Sequence, residues 1–194
     1  MNTLEINNKH KINSWPLLYS AAYKQFVAYE KIEGIDWKKY DFSIDCAEDQ
    51  MKFKDMLQIR FIEELTEATM ALKMDGDDHF REELSDAINF FLSAYIMLGV
   101  HLENMPKPVK GSFYNLQVSF YSIIERVGWL CNLLKNRPWA QSNYLVSMTD
   151  FNDRLMNLWI YFWGVILNLI TEEDIFDLFE RKYEVNKWRI KTGY

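Results

Sequence analysis

Apolar residues recur along this chain at the three- and four-residue spacing of α-helices, in windows that are longer than most strands. No run alternates apolar and polar residues as a half-buried strand does. The windows end at turn formers such as MDGDD and NRPW. The pattern predicts an all-α multi-helix bundle, with helices at about 14–33, 48–74, 78–99, 113–136, 150–169 and 172–189.

Length and composition limit the class of protein. A chain of 194 residues that is 49% hydrophobic and 16% aromatic has room for one domain, 1–194, with a sizeable core. The most apolar run, 155–170, is shorter than the roughly 20 residues that a membrane span requires. It also contains Asn157 and Asn168. We therefore expect a buried helix there and no membrane partner.

Charge and cysteine content exclude further classes. The net charge of −6 comes without any block of Lys and Arg, so no nucleic-acid partner is expected. Cys46 and Cys131 stand alone, without a CxxC pair or the density of a disulfide-rich secreted domain. The N-terminal stretch MNTLEINNKHKIN has no apolar core of signal-peptide type. These features favour a cytoplasmic protein with reduced thiols.

One acidic phrase occurs twice, as IEELTEA starting at residue 62 and as REELSDA starting at residue 81. On a helix, each copy places two carboxylates, three residues apart, at the edge of its apolar side. A third carboxylate in each copy, Glu63 or Glu82, points away. The edge pairs are Glu64 with Glu67 and Glu83 with Asp86.

The short MDGDDH turn between the copies predicts two antiparallel neighbouring helices, so that the four edge carboxylates face one another. Like charges a few ångströms apart raise each other's pKa or repel. A divalent cation resolves this repulsion, and magnesium is commonly shared between carboxylates and substrate phosphates. The same spacing is also typical of a solvated acidic helix face, and from these residues alone both interpretations stay open.

The two phrases resemble the signature of the all-α NTP pyrophosphatase superfamily, EExxE followed by ExxD, with EELTE at 63–67 and ELSD at 83–86. The C-terminal KYEVNKWRIKTGY is similar to the terminal motif of the dimeric dUTPase branch, which includes phage dCTPase/dUTPases and reads approximately KNxxNxxRQDxGY. The matching residues are Lys182, Asn186, Arg189, Gly193 and Tyr194. Tyr183, Ile190 and Lys191 depart from the motif, and about 104–171 is a helical insert without resemblance.

The resemblance implies a magnesium site with two or three ions that bridge a triphosphate, and one glutamate, Glu67 or Glu64, that accepts the proton of a bound water. Its implied ligands are Glu64, Glu67, Glu83 and Asp86. Helical spacing puts Lys182, Asn186 and Arg189 on one face, where they could bind phosphate. Tyr194 would close over the nucleotide. Asn89, one turn beyond Asp86, is equally compatible with a base contact and with a helix surface.

The function that follows from the resemblance is magnesium-dependent hydrolysis of dUTP to dUMP and pyrophosphate by a homodimer. The alternatives are a related pyrophosphatase for dCTP or a modified nucleotide, and a helical protein that binds a nucleotide or a partner without turnover. No role is assigned to His10, His79 or His101, because they lack metal-ligand spacing.

Overall fold

The computed structural model describes residues 12–74, 76–113, 115–134 and 147–193, and it is mostly helical. Within these ranges there is no β-strand, so the all-α fold class is confirmed. A π-helical segment, Asp55–Phe61, joins α2 to α3 without a break, and a 3₁₀ turn, Leu102–Asn104, follows α4. The α-helices are α1 (Trp15–Ile32), α2 (Ala47–Lys54), α3 (Ile62–Met74), α4 (Asp77–Met97), α5 (Leu116–Cys131), α6 (Met148–Leu169) and α7 (Glu172–Thr192).

The helix predicted at 113–136 is shorter than expected, whereas the other predicted boundaries agree within three residues. This helix, α5, begins only at Leu116, because the Asn115 side chain accepts a hydrogen bond from the Val118 N–H and caps the first turn. It ends at Cys131, and the Leu133 N–H turns back to the Leu130 carbonyl. The predicted break at NRPW lies outside the described residues.

The two helices of the acidic phrases fold back on each other through a very short turn. Helix α3 ends at Met74 and α4 begins at Asp77, with Gly76 at a φ of 91°. This left-handed conformation costs glycine little, because glycine has no Cβ. Helices α3 and α4 pack closely along their lengths, as the sequence predicted for neighbouring helices.

Helix α7 begins at the predicted N-cap, Thr171. The Thr171 hydroxyl accepts a hydrogen bond from the Asp174 N–H at 3.1 Å, and the Asp174 carboxylate accepts one from the Thr171 N–H at 3.2 Å. This capping box satisfies two backbone donors at the helix start. The helix then packs on α1 and α4, which brings the C-terminal motif to the acidic phrases.

An aromatic cluster at the centre of the molecule joins α4, the π-helical segment and α6. The ring centroid of Phe91 lies 4.0 Å from that of Phe162 and 5.4 Å from that of Phe61. The buried Tyr95 hydroxyl donates a hydrogen bond to the Leu155 carbonyl at 2.7 Å. Because burial of each such ring contributes about 1.5–3 kcal/mol, this cluster holds the site-bearing helix α4 firmly in the core.

The chain between α4 and α5 crosses α6 at two glycines. The Gly111 N–H donates to the Gly164 carbonyl at 3.1 Å, and a Cβ on Gly164 would lie 3.2 Å from the Gly111 Cα. The crossing is reinforced by Asn168, whose amide donates to the Gly111 carbonyl at 3.0 Å, and by Trp159, whose indole donates to the Pro106 carbonyl at 2.9 Å. A Cβ on either glycine would make this approach tighter than an ordinary van der Waals contact.

The apolar run at 155–170 forms the buried α6, as predicted. No single helix in the described ranges is long and apolar enough to cross a membrane. Helices α6 and α7 together meet the length and composition of a span, but the pair is bent by 99° at its junction. Cys46 is exposed and Cys131 is buried, and both are free thiols.

Candidate functional site

Three carboxylates of the repeated acidic phrase meet where α3 packs on α4. Glu64, Glu83 and Asp86 each place a carboxylate oxygen within 4.8 Å of the others. The side chains of Glu83 and Asp86 are only 15% and 18% exposed. Glu63 and Glu82 are exposed, as their helical positions predicted. The fold therefore brings together carboxylates from both copies of the phrase.

Burial and mutual repulsion raise the pKa of these carboxyl groups. The pKa of Glu64 is raised to about 7, first by burial and then by the charges of Asp86, Glu67 and Glu83. The pKa of Glu83 is also raised, mainly by burial. Glu64 and Glu83 share a hydrogen bond that favours the proton on Glu64. A divalent cation with hard oxygen preference, such as Mg²⁺, fits this donor set and would replace the shared proton.

Glu67 lies outside the group of three and is exposed. The reason lies in the packing of α7, which covers α4 and α1 and so buries Asp86, the counterpart of Glu67 in the second phrase. The charge of Glu67 still raises the pKa of Glu64 and Glu83, so the side chain remains within electrostatic range of the site. Its role as a ligand stays a prediction.

Lys182 links the C-terminal motif to the acidic phrases. Its ammonium lies 2.5 Å from the Asp86 carboxylate, and the two side chains are 14% and 18% exposed. Burial raises the pKa of Asp86, whereas the charges of Lys182 and Arg189 oppose that rise. The two sequence motifs, 96 residues apart, therefore meet in one ion pair.

A cavity of about 340 Å³ opens beside the carboxylates, between α1, the π-helical segment, α4 and α7. This volume lies within the range of small-molecule sites. Tyr194 lies outside the described residues. All the other predicted substrate-binding residues line the cavity, together with two of the acidic residues: Asn89, Lys182, Asn186, Arg189, Glu64 and Asp86.

Several polar atoms in the cavity wall are buried without a hydrogen-bond partner in the described ranges. They are the Asn89 Oδ1 and both amide atoms of Gln25, a residue that is only 3% exposed. Leaving such a group unsatisfied costs about 1–3 kcal/mol. A bound ligand with polar edges would recover this cost. Asn89 lies in the cavity wall, and its contact with a base stays a prediction.

Sequence reasoning missed the contribution of α1 and the π-helical segment, which add Gln25, Glu30 and Arg60 to the cavity wall. The signal lay in the apolar stripe of α1, where Gln25 and Glu30 take buried positions between apolar residues. The π-helical turn carries Arg60, one turn before Glu64, on the cavity side of the helix. π-helical turns of this kind recur at functional sites.

His79 is a further residue to which the sequence analysis assigned no role. Its Nδ1 lies 3.4 Å from the Glu83 Oε1, one helical turn away on α4. The i, i+4 spacing from the acidic phrase could have identified it. A protonated His79 stabilises the charge of Glu83, and it lowers the pKa of that carboxyl against the effect of burial.

Comparisons with known proteins give no further assignment. No family model matches the chain, and neither do any curated proteins or solved structures. The assignment of function therefore depends on the residues and geometry of the site.

Proposed function

We propose that this protein is a magnesium-dependent nucleoside triphosphate pyrophosphohydrolase of the all-α NTP pyrophosphatase type. One observation carries the proposal: a single cavity is lined by carboxylates of both acidic phrases and by cations of the C-terminal helix. Carboxylates beside Lys and Arg at a cavity of ligand size suit a metal-bound polyphosphate better than an uncharged ligand. The overall reaction adds water and releases a nucleoside monophosphate and pyrophosphate.

The metal would be held by Glu64, Glu83 and Asp86, with Glu67 able to join from the margin. Bound magnesium supplies Lewis-acid activation of a phosphate and of the attacking water. Glu67, which is exposed and outside the group of three, is free to accept the proton of that water. Glu64 is the second candidate for this role.

The triphosphate would lie between these carboxylates and α7. Arg189 can bind two phosphate oxygens through its planar guanidinium, whereas Lys182 offers a point charge. The Lys182 ammonium lies 2.5 Å from Asp86, so it is next to the proposed metal ligands and could contact a phosphate that the metal binds. These two cations stabilise the charge on the phosphates as the bond to the leaving pyrophosphate breaks.

We extend the proposal to a homodimer, as the resemblance implies. Helices α5 and α6 carry exposed apolar side chains that a second copy would cover, namely Tyr121, Ile124, Trp129, Met156 and Ile160. Light scattering measures the mass directly. A monomer at micromolar concentration would contradict this extension without affecting the proposed chemistry.

The test of activity is release of pyrophosphate from each deoxynucleoside triphosphate in the presence of magnesium. We expect release by the natural protein and none by Glu64→Gln or Glu83→Gln, because each substitution removes a carboxylate of the metal group. Glu63→Gln is the matched control, since Glu63 is exposed on the same helix. Near-normal release by either site variant would refute the metal site. Nucleotide binding without any release would favour the alternative of a non-catalytic binding protein.

A further inference from the structure

The cavity contains one carboxylate that the proposed chemistry does not use. Glu30 of α1 lines the cavity and is only 8% exposed. Within the described residues, its carboxylate makes no hydrogen bond and no ion pair. A carboxylate at a cavity wall without a donor from the protein can accept a hydrogen bond from a ligand that enters the cavity.

Glu30 belongs to a different part of the wall from the metal group. The charges that act on it are those of Glu33, Arg60 and Lys52, whereas its neighbour Tyr29 is affected by Arg189 and Asp86. The carboxylate of Glu30 is therefore affected by Arg60 of the π-helical segment, whereas the charges of the phosphate-binding end act on Tyr29.

The charge of Glu30 determines which part of a nucleotide can lie against it. A carboxylate repels phosphate, and an ionised carboxylate only accepts hydrogen bonds. Of the two cations whose charges act on Glu30, Arg60 is already engaged by Asp55 at 3.0 Å and by Glu33 at 3.8 Å, and Lys52 by Glu48 at 3.3 Å. The complement of Glu30 is therefore an uncharged hydrogen-bond donor on the ligand. Gln25, buried in the same wall with both amide atoms unpartnered, can contact a second polar atom beside that donor.

We propose that Glu30, together with Gln25, selects a base with an exocyclic amino group, and that the pyrimidine substrate is therefore dCTP rather than dUTP. The Glu30 carboxylate accepts a hydrogen bond from the amino group of cytosine, which is a known pairing of glutamate with this base. The Gln25 amide donates to the adjacent ring nitrogen. Uracil presents a carbonyl oxygen in place of the amino group, so two acceptors would face each other. The inference rests on the proposed function and reverses the order of dUTP and dCTP implied by the resemblance.

The test compares substrates that differ in this group and in the proton on the adjacent ring nitrogen, dCTP with dUTP and dATP with dITP, by the kcat/KM for pyrophosphate release. We expect the natural protein to prefer dCTP over dUTP, and Glu30→Gln to reduce that ratio by about tenfold to a hundredfold, mainly through loss of dCTP turnover. Lys31→Gln is the control, because Lys31 lies on the same helix with an exposed side chain and outside the cavity wall, and it should leave the ratio unchanged. The purine pair shows whether the larger base also enters the cavity.

A binding measurement separates this inference from the proposed function. Calorimetry with the α,β-imido analogues of dCTP and dUTP reports base preference even if no turnover occurs. A dCTP preference that depends on Glu30 but comes without turnover would support base selection and refute the hydrolase. Preference for dUTP in the natural protein would overturn base selection alone. Equal weakening of both analogues by Glu30→Gln would also overturn it, because the carboxylate would then contact the sugar. If Glu30→Gln does not fold, the preference of the natural protein decides.

Discussion

Replacing Glu64 with glutamine should stabilise the metal-free protein above pH 7, although it changes a residue of the candidate site. Burial and three neighbouring carboxylates raise the pKa of Glu64 from 4.5 to about 7. Between these two pH values the folded protein binds more protons at Glu64 than the unfolded chain does. The free energy of unfolding therefore falls as the pH rises through this window, and it stays lowered above pH 7.

The magnitude follows from the same two pKa values. Each pKa unit corresponds to about 1.36 kcal/mol, so ionisation of Glu64 in the fold costs at most about 3 kcal/mol. Glutamine keeps the shape of the side chain without the charge, and its amide can still donate to Glu83. For a chain of this size, about 3 kcal/mol corresponds to a shift of about 6–12 °C in Tm.

The assay is thermal unfolding followed by circular dichroism in EDTA, from below pH 4.5 to above pH 7. We expect the Tm of Glu64→Gln to exceed that of the natural protein only in the upper part of this range. Glu63→Gln should show no such dependence, because its side chain is exposed and faces away from the group. A Tm difference that stays the same at every pH would refute the raised pKa of Glu64 on which this prediction depends. Added magnesium should raise the Tm of the natural protein most above pH 7, since a bound ion stabilises the folded state.

Three further substitutions, two of them with a control substitution, test the surrounding framework. Lys182→Met breaks a mostly buried ion pair and should lower the free energy of unfolding by about 3 kcal/mol, whereas Lys187→Met removes an exposed pair and should cost under about 1 kcal/mol. Urea unfolding measures both, and equal effects would contradict the burial of the first pair. Gly164→Ala should destabilise by about 1–3 kcal/mol through the crowded crossing, whereas Gly128→Ala, with open space around it, should gain about 0.5–1 kcal/mol of helix stability. An unchanged Tm for Gly164→Ala would show that the crossing can relax. Tyr95→Phe removes the hydrogen bond to the Leu155 carbonyl, which keeps its partner within α6, and should cost about 0.5–1.5 kcal/mol in urea unfolding; no change would mean that this hydrogen bond contributes no net stability.

The helices and the edge carboxylates could be predicted because both depend on short-range periodicity. Glu64 and Glu83 lie at the border of apolar stripes whose spacing is visible in the sequence, and the turn at Gly76 is short enough to make their helices neighbours. The end of α5, at Cys131 rather than at about 136, is the boundary that differs most from the prediction, whereas its start at Leu116 is determined by the capping side chain of Asn115.

Other parts of the candidate site depend on which helices pack together, and periodicity within one helix cannot reveal that. Glu67 and Asp86 occupy equivalent positions in the two phrases, yet only Asp86 is covered by α7 and paired with Lys182. In the sequence, Gln25 and Glu30 are only polar residues within the apolar pattern of α1. The packing of α1 against α4 and α7 is what places them in the cavity wall. Burial, and with it the pKa of a carboxyl group and its need for a partner, is a property of the assembled fold. The sequence alone therefore determined the helices and the acidic repeat, whereas the tertiary structure decided which carboxylates meet and which polar groups line the cavity.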